Sequence, residues 1–167
     1  MQYIQKALRK NHLRDGQVKN GGIILIRELS KEEIKEIEDY IQTLKGEEEY
    51  KNYFYGSQKQ GYADRGFLLN DSYYCDIEIY NNIPFIGMFR LPNKKNYSLK
   101  SIIYLFDSIL KEYGCIGVWR TAENKQVESL HNHIKRRYKN VTEIKKDNLI
   151  IIIVKEVTRC KQKLNIV

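Results

Sequence analysis

A chain of 167 residues has room for one domain with a real core, and not comfortably for two. With 42% hydrophobic and 30% charged residues, and 13 Tyr against 5 Phe, its composition is globular and excludes a disordered polyelectrolyte. The 29 Lys and Arg against 21 Asp and Glu leave a net charge of +8. That excess favours encounter with phosphate-bearing partners but names none, because Lys, Ile and Asn are abundant throughout and the excess also reads as background.

Cys75, Cys115 and Cys160 lie far apart and lack C-x-x-C or C-x-x-H spacing, which argues against a disulfide framework and against a metal site. Residues 1–22 (MQYIQKALRKNHLRDGQVKNGG) contain no apolar run of signal-peptide type. LIIIIV at 149–154 is too short to cross a bilayer. The expectation is a cytoplasmic protein with no membrane partner.

In chain order, the basic leader 1–22 ends at Gly21 and Gly22, and IILIREL reads as a strand. Ser30 with Glu33 forms a capping box, and Ile34, Ile37, Ile41 and Leu44 recur at helical spacing until Gly46. Residues 47–65 carry several Tyr and no clean period, and read as a short helix or loop with an exposed aromatic surface. GFLL (66–69), SYYCDIEIY (72–80) and IPFIGMFRL (83–91) read as strands, the last two joined at Asn81 and Asn82, which tolerate the positive φ of a tight turn. Gly87 inside the third implies a bulge or a close approach to the backbone.

A second helix starts near Ser98, carries Leu99, Ile102, Ile103, Phe106, Ile109, Leu110 and Tyr113 on one stripe, and ends at Gly114. CIGVWRT is a strand. With Thr121 or Asn124 as cap, Val127, Leu130, Ile134 and Tyr138 place the next helix's apolar face, and Lys135, Arg136 and Arg137 complement its C-terminal dipole. VTEI and LIIIIV form a hairpin through KKDN, and the unbroken apolar run implies a strand covered on both faces. This order predicts an α/β domain over 23–156, a mixed and mostly antiparallel central sheet with helices on both faces, followed by a tail at 157–167.

The order of elements, and the segment AENKQVESLHNHIKRRY with Asn124, Val127, Leu130 and His131 at its signature positions, resembles the GNAT superfamily of N-acyltransferases. The resemblance implies acetyl-CoA or a related acyl-CoA as co-substrate and an amine as acceptor. It places the pyrophosphate against a helix N-terminus in LPNKKNYSLKSI, with Leu91, Lys94, Lys95, Tyr97, Ser98 and Asn124 as cofactor-binding candidates. In this segment Lys94 or Lys95 stands for the leading cation, while Tyr97 or Ser98 and then Leu99 or Lys100 occupy the family's glycine positions. Cations and the Ser98 hydroxyl would then replace close backbone approach, or the fold serves another donor or only binds.

For the chemistry, His131 takes the place of the family's acidic Tyr and borders the buried helix face, where an imidazole of near-neutral pKa would protonate the departing thiolate. Asp76 and Glu78 share a strand face, and Glu78 is the candidate base. The alternative is a catalytically silent or diverged GNAT-like module binding nucleic acid or a protein through the Tyr-rich segment 50–62 and the basic surface, or a nucleic-acid modification enzyme of the phage Mom type.

Overall fold

A computed structural model of the chain describes residues 17–19, 22–24, 26–44, 46, 61–92 and 99–156. Strands β1 (Gln17–Lys19) and β2 (Gly22–Ile24) pair in a small antiparallel sheet of their own, and β3 (Ile26–Glu28) opens the main one. IILIREL is therefore two strands in two sheets rather than one, and the leader enters the first of them. An apolar run marks what can pair; it does not say with which sheet.

Helix α1 (Lys31–Thr43) begins as expected: the Ser30 side chain accepts from the Glu33 N–H, and the Glu33 carboxylate accepts in return from the Ser30 N–H. It precedes β4 (Arg65–Leu69), β5 (Tyr73–Tyr80) and β6 (Ile83–Arg90), an antiparallel meander. The turn between β5 and β6 is held by Asn81 at φ 50° and Asn82 at φ 63°, the left-handed region that Asn enters most cheaply after Gly. Asn70 and Asp71 do the same between β4 and β5.

After β6 come α2 (Leu99–Tyr113), β7 (Cys115–Thr121), α3 (Lys125–Arg137), β8 (Val141–Lys146) and β9 (Leu149–Lys155). Gly114 closes α2 at φ 72°, its N–H bonded to the Leu110 carbonyl. The main sheet has seven strands in the order β3-β4-β5-β6-β7-β9-β8. The last two strands meet through a tight turn at Asp147 and Asn148, shorter than the four residues the sequence suggested.

Two apolar layers hold the sheet. On one face Cys75, Ile77, Ile86, Ile116, Val118, Ile152 and Val154 pack against Ile102, Phe106 and Ile109 of α2 and Leu130 and Ile134 of α3. On the other, Leu68, Tyr74, Phe89 and Leu91 pack against Ile34, Ile37 and Ile41 of α1. Each such fully buried side chain contributes about 2 kcal/mol by area removed from water. Helices do lie on both faces, but β9 departs from expectation: Ile152 and Val154 are buried, whereas Ile151 and Ile153 on its opposite face are only half-buried. Its apolar run reflects one deep core and one partly exposed side.

Candidate active site

Among the neighbouring strands of the main sheet, β6 and β7 are the parallel pair, and their ladder has a single register position, Phe85 opposite Gly117. Past that point Ile86 to Arg90 pair with β5 on one side, and Val118 to Thr121 pair with β9 on the other, but not with each other. The two strands part toward their C-terminal ends. Crevices of this kind, where connections leave a sheet at the carboxyl ends of parallel strands, are where open α/β sheets take ligands. Both α2 and α3 start at that end, so two helix N-termini with partial positive charge flank it.

The closed end of the gap is built from a missing side chain. A Cβ on Gly117 would lie 2.6 Å from Cδ1 and 2.8 Å from Cζ of Phe85, because the phenyl ring lies on the glycine. Two residues further along β6, a Cβ on Gly87 would collide with Asp76 Oδ1 and come within 2.9 Å of its Cγ. Gly87 and Asp76 are opposite each other in an unbroken ladder, so Gly87 marks no bulge. The close approach the sequence implied is that of the Asp76 carboxylate, which is 7% exposed.

Strand alternation puts Phe85, Gly87 and Phe89 of β6 and Gly117, Trp119 and Thr121 of β7 on the α1 side of the sheet. Thr121 is 2% exposed, and its Oγ1 finds no hydrogen-bond partner among the described residues. Buried hydroxyls in that state are uncommon, and each calls for an explanation. Immediately after β7, Asn124 caps α3: its side-chain oxygen accepts from the Val127 N–H at 3.2 Å, and its own N–H donates to the Thr121 carbonyl at 3.2 Å.

Of the other cofactor-binding candidates, Lys94, Lys95, Tyr97 and Ser98 lie outside the described residues, as does most of the Tyr-rich segment. Leu91 is buried at the end of β6, and its N–H donates to the Ser72 carbonyl at 2.9 Å, so that donor is already taken. Glu78 is half-buried, accepts from the Tyr80 hydroxyl, and pairs opposite Phe85. It therefore stands beside the closed end of the gap, one step along the same face behind Asp76.

His131 faces inward, at 2% exposure. Its charged neighbours are Arg120 of β7, Glu143 of β8, and Lys135 and Glu128 of α3 itself. Burial first and the Arg120 guanidinium second push its pKa down to about 4. The imidazole is neutral at neutral pH. Neither ring nitrogen has a hydrogen-bond partner among the described residues.

The basic end of α3 is largely engaged within the fold. Lys135 pairs with Glu143 at 2.8 Å and Arg137 with Asp107 at 2.6 Å, while Arg120 on β7 bonds the Thr121 and Ala122 carbonyls and reaches Glu128 at 3.4 Å. Sequence reasoning passed over Thr121 as a site residue, and Gly117 and Trp119 altogether. The available signal was Gly117, a strand-interior glycine of the same kind as Gly87.

No family model and no curated protein matches the chain by sequence. Solved structures do match. The Campylobacter jejuni N-acetyltransferase PseH in complex with acetyl coenzyme A is similar over 79% of this chain and 98% of its own, at 14% identity and a TM-score of 0.50. The ribosomal-protein-S18-alanine N-acetyltransferase from Escherichia coli is similar over 79% of this chain and 93% of its own, at 12% identity and a TM-score of 0.52. With a seven-stranded mixed sheet whose one parallel pair parts between two helix starts, this chain has the fold of the GNAT N-acetyltransferases.

Proposed function

We propose that the chain is an N-acyltransferase, with an acyl thioester of coenzyme A as donor and an amine as acceptor. The observation that carries the reading is the parting of β6 and β7 beyond Phe85 and Gly117. Alternate backbone N–H groups of a strand point to either side, so those of Ile86 to Arg90 that face β7 are released from the ladder. Donors held on a rigid strand can polarise a thioester carbonyl and stabilise the oxyanion formed when an amine attacks it. That PseH was solved with acetyl coenzyme A supports a thioester of this class as the donor.

In this reading the segment that holds Lys94, Lys95, Tyr97 and Ser98 leads into α2 and contributes to binding the donor's pyrophosphate, with charge compensating for absent glycines. Leu91 contributes apolar surface at the strand end. Asn124 offers its amide NH2 from the start of α3, and Thr121 its hydroxyl from the end of β7. His131 packs as a neutral ring. The nucleic-acid alternative draws no support from α3, whose Lys135 and Arg137 are paired within the fold.

The test is the thermal unfolding midpoint with and without millimolar acetyl coenzyme A, with ATP and desulfo-coenzyme A as controls, since a ligand bound to the native state must raise stability. A rise with both coenzymes and not with ATP supports the reading. No rise at several millimolar removes coenzyme A as the donor.

A further inference from the structure

We propose that the outer edge of β8 is a docking surface for a second copy of this chain: β8 pairs antiparallel with itself about a two-fold axis at Ile144, joining two seven-stranded sheets into one. The inference stands on the sheet alone and is independent of the acyltransferase reading.

An open sheet has two edges, and this one treats them differently. At one edge β3 is three residues long, too short to template another chain. At the other, β8 is six residues long and pairs with β9 at every position from Val141 to Lys146, so no bulge interrupts it and no proline removes a donor. Thr142 to Lys146 are all exposed, and among the described residues no strand lies beyond them. The outward N–H and C=O groups of β8 therefore form a straight template for a further strand, which sheet proteins ordinarily blunt by shortening, kinking or covering the edge. What this edge carries instead is charge, and the charge is arranged to match itself.

Residues directly opposite each other in an antiparallel pair share a face, and their side chains interact. About an axis at Ile144, VTEIKK meets itself with Glu143 opposite Lys145 of the second copy, Lys145 opposite its Glu143, and Thr142 opposite its Lys146. Each carboxylate then meets a cation. Within one chain Glu143 already pairs with Lys135 at 2.8 Å and with Lys145 at 3.2 Å, so the second copy extends an existing network of charges. The neighbouring registers that keep the pleat are centred on Glu143 or on Lys145, and each sets like charges against each other on the axis. The register is thus selected by sign. On the axis Ile144 meets Ile144, a side chain 45% exposed in the single chain. It ends a row of opposed residues, Trp119 with Ile151 and Ile151 with Ile144, on the face where the residues packed against α1 include none from β7, β8 or β9. Pairing continues that apolar row into the second copy.

A pairing of six residues a side is small against a standard interface, so the dimer is expected at micromolar concentrations and above. The experiment is sedimentation velocity of the full chain, from low micromolar to near-millimolar concentration, on the wild type and on Lys145→Glu and Glu143→Lys. The wild type is expected to pass from one chain to two. Either variant alone sets like charges opposite each other on both sides of the axis, and should weaken association by about tenfold or more. Mixed in equal amounts, the two variants should associate as the wild type does, because every opposed pair is then a cation against a carboxylate. If Glu143→Lys does not fold, Ile144→Glu and Ile144→Lys take the place of the pair: each meets its own charge on the axis and should remain a single chain, and their mixture should associate. A wild type that remains a single chain at every concentration overturns the proposal. So do folded single variants that associate as tightly as the wild type, and so does a mixture of folded variants that fails to restore association.

Discussion

The hydroxyl of Tyr74 donates a 2.5 Å hydrogen bond to the carboxylate of Glu38, joining the middle of the sheet to helix α1 beside the apolar cluster on that face. Both residues are buried, and the Ala63 N–H donates to the same carboxylate at 3.3 Å. Tyr74→Phe keeps the ring and removes one donor from a buried acceptor, so it should cost about 1.5–3 kcal/mol. Urea unfolding measures this, and a loss below about 0.5 kcal/mol would show that the bond is no more than incidental.

The buried imidazole makes the fold sensitive to mild acid. His131 has its folded-state pKa depressed to about 4 from 6.5, so as pH falls the unfolded chain takes up the proton first. Its contribution is complete above pH 6.5 and is lost between 6.5 and 4, at about 1.4 kcal/mol per unit and about 3 kcal/mol in all. His131→Leu should remove that portion of the slope and, by replacing unpartnered polar atoms, leave stability at pH 7 equal or higher. Denaturant midpoints at pH 7 and pH 5 for both proteins decide it; parallel shifts would remove His131 as the cause.

Thr121 offers the opposite combination. Its hydroxyl is buried without a partner among the described residues, so the isosteric Thr121→Val should raise stability by about 1 kcal/mol. If the hydroxyl serves the gap, the same change should lower turnover by roughly tenfold, the stability–activity trade expected of a site residue. A variant with both higher stability and full turnover would confine Thr121 to a packing defect.

What could be seen in the sequence was what neighbours in the chain decide. Ser30 with Glu33, Gly114, and Asn81 with Asn82 each do locally what their residue types predict. Gly87 was legible as a close approach but not as the approach of Asp76, because the identity of a cross-strand partner depends on register. The same limit hid the gap: nothing in IPFIGMFRL or CIGVWRT says that two strands meet at Phe85 and Gly117 and then separate. His131 was placed inward by helical spacing, yet its charge state depended on Arg120 and on how completely the sheet covers the ring. Depth is a property of the assembled fold.

Asp107 of α2 accepts from both Arg137 and Tyr138 at the far end of α3, at 2.6 and 2.5 Å, beside the packed rings of Phe106 and Tyr138. Each helix begins at one lip of the opening and runs back about 20 Å. The pair is therefore clasped behind the opening, while nearer to it Ser101 accepts from the Asn70 amide and Glu128 accepts from Arg120. Asp107→Asn loosens that clasp alone, so its mark would be a raised KM for the donor with an intact fold; an unchanged KM would mean that the helix starts are held by their bonds to the sheet alone. A change at Asp107 would then reach the opening through the bodies of two helices rather than through any residue that lines it.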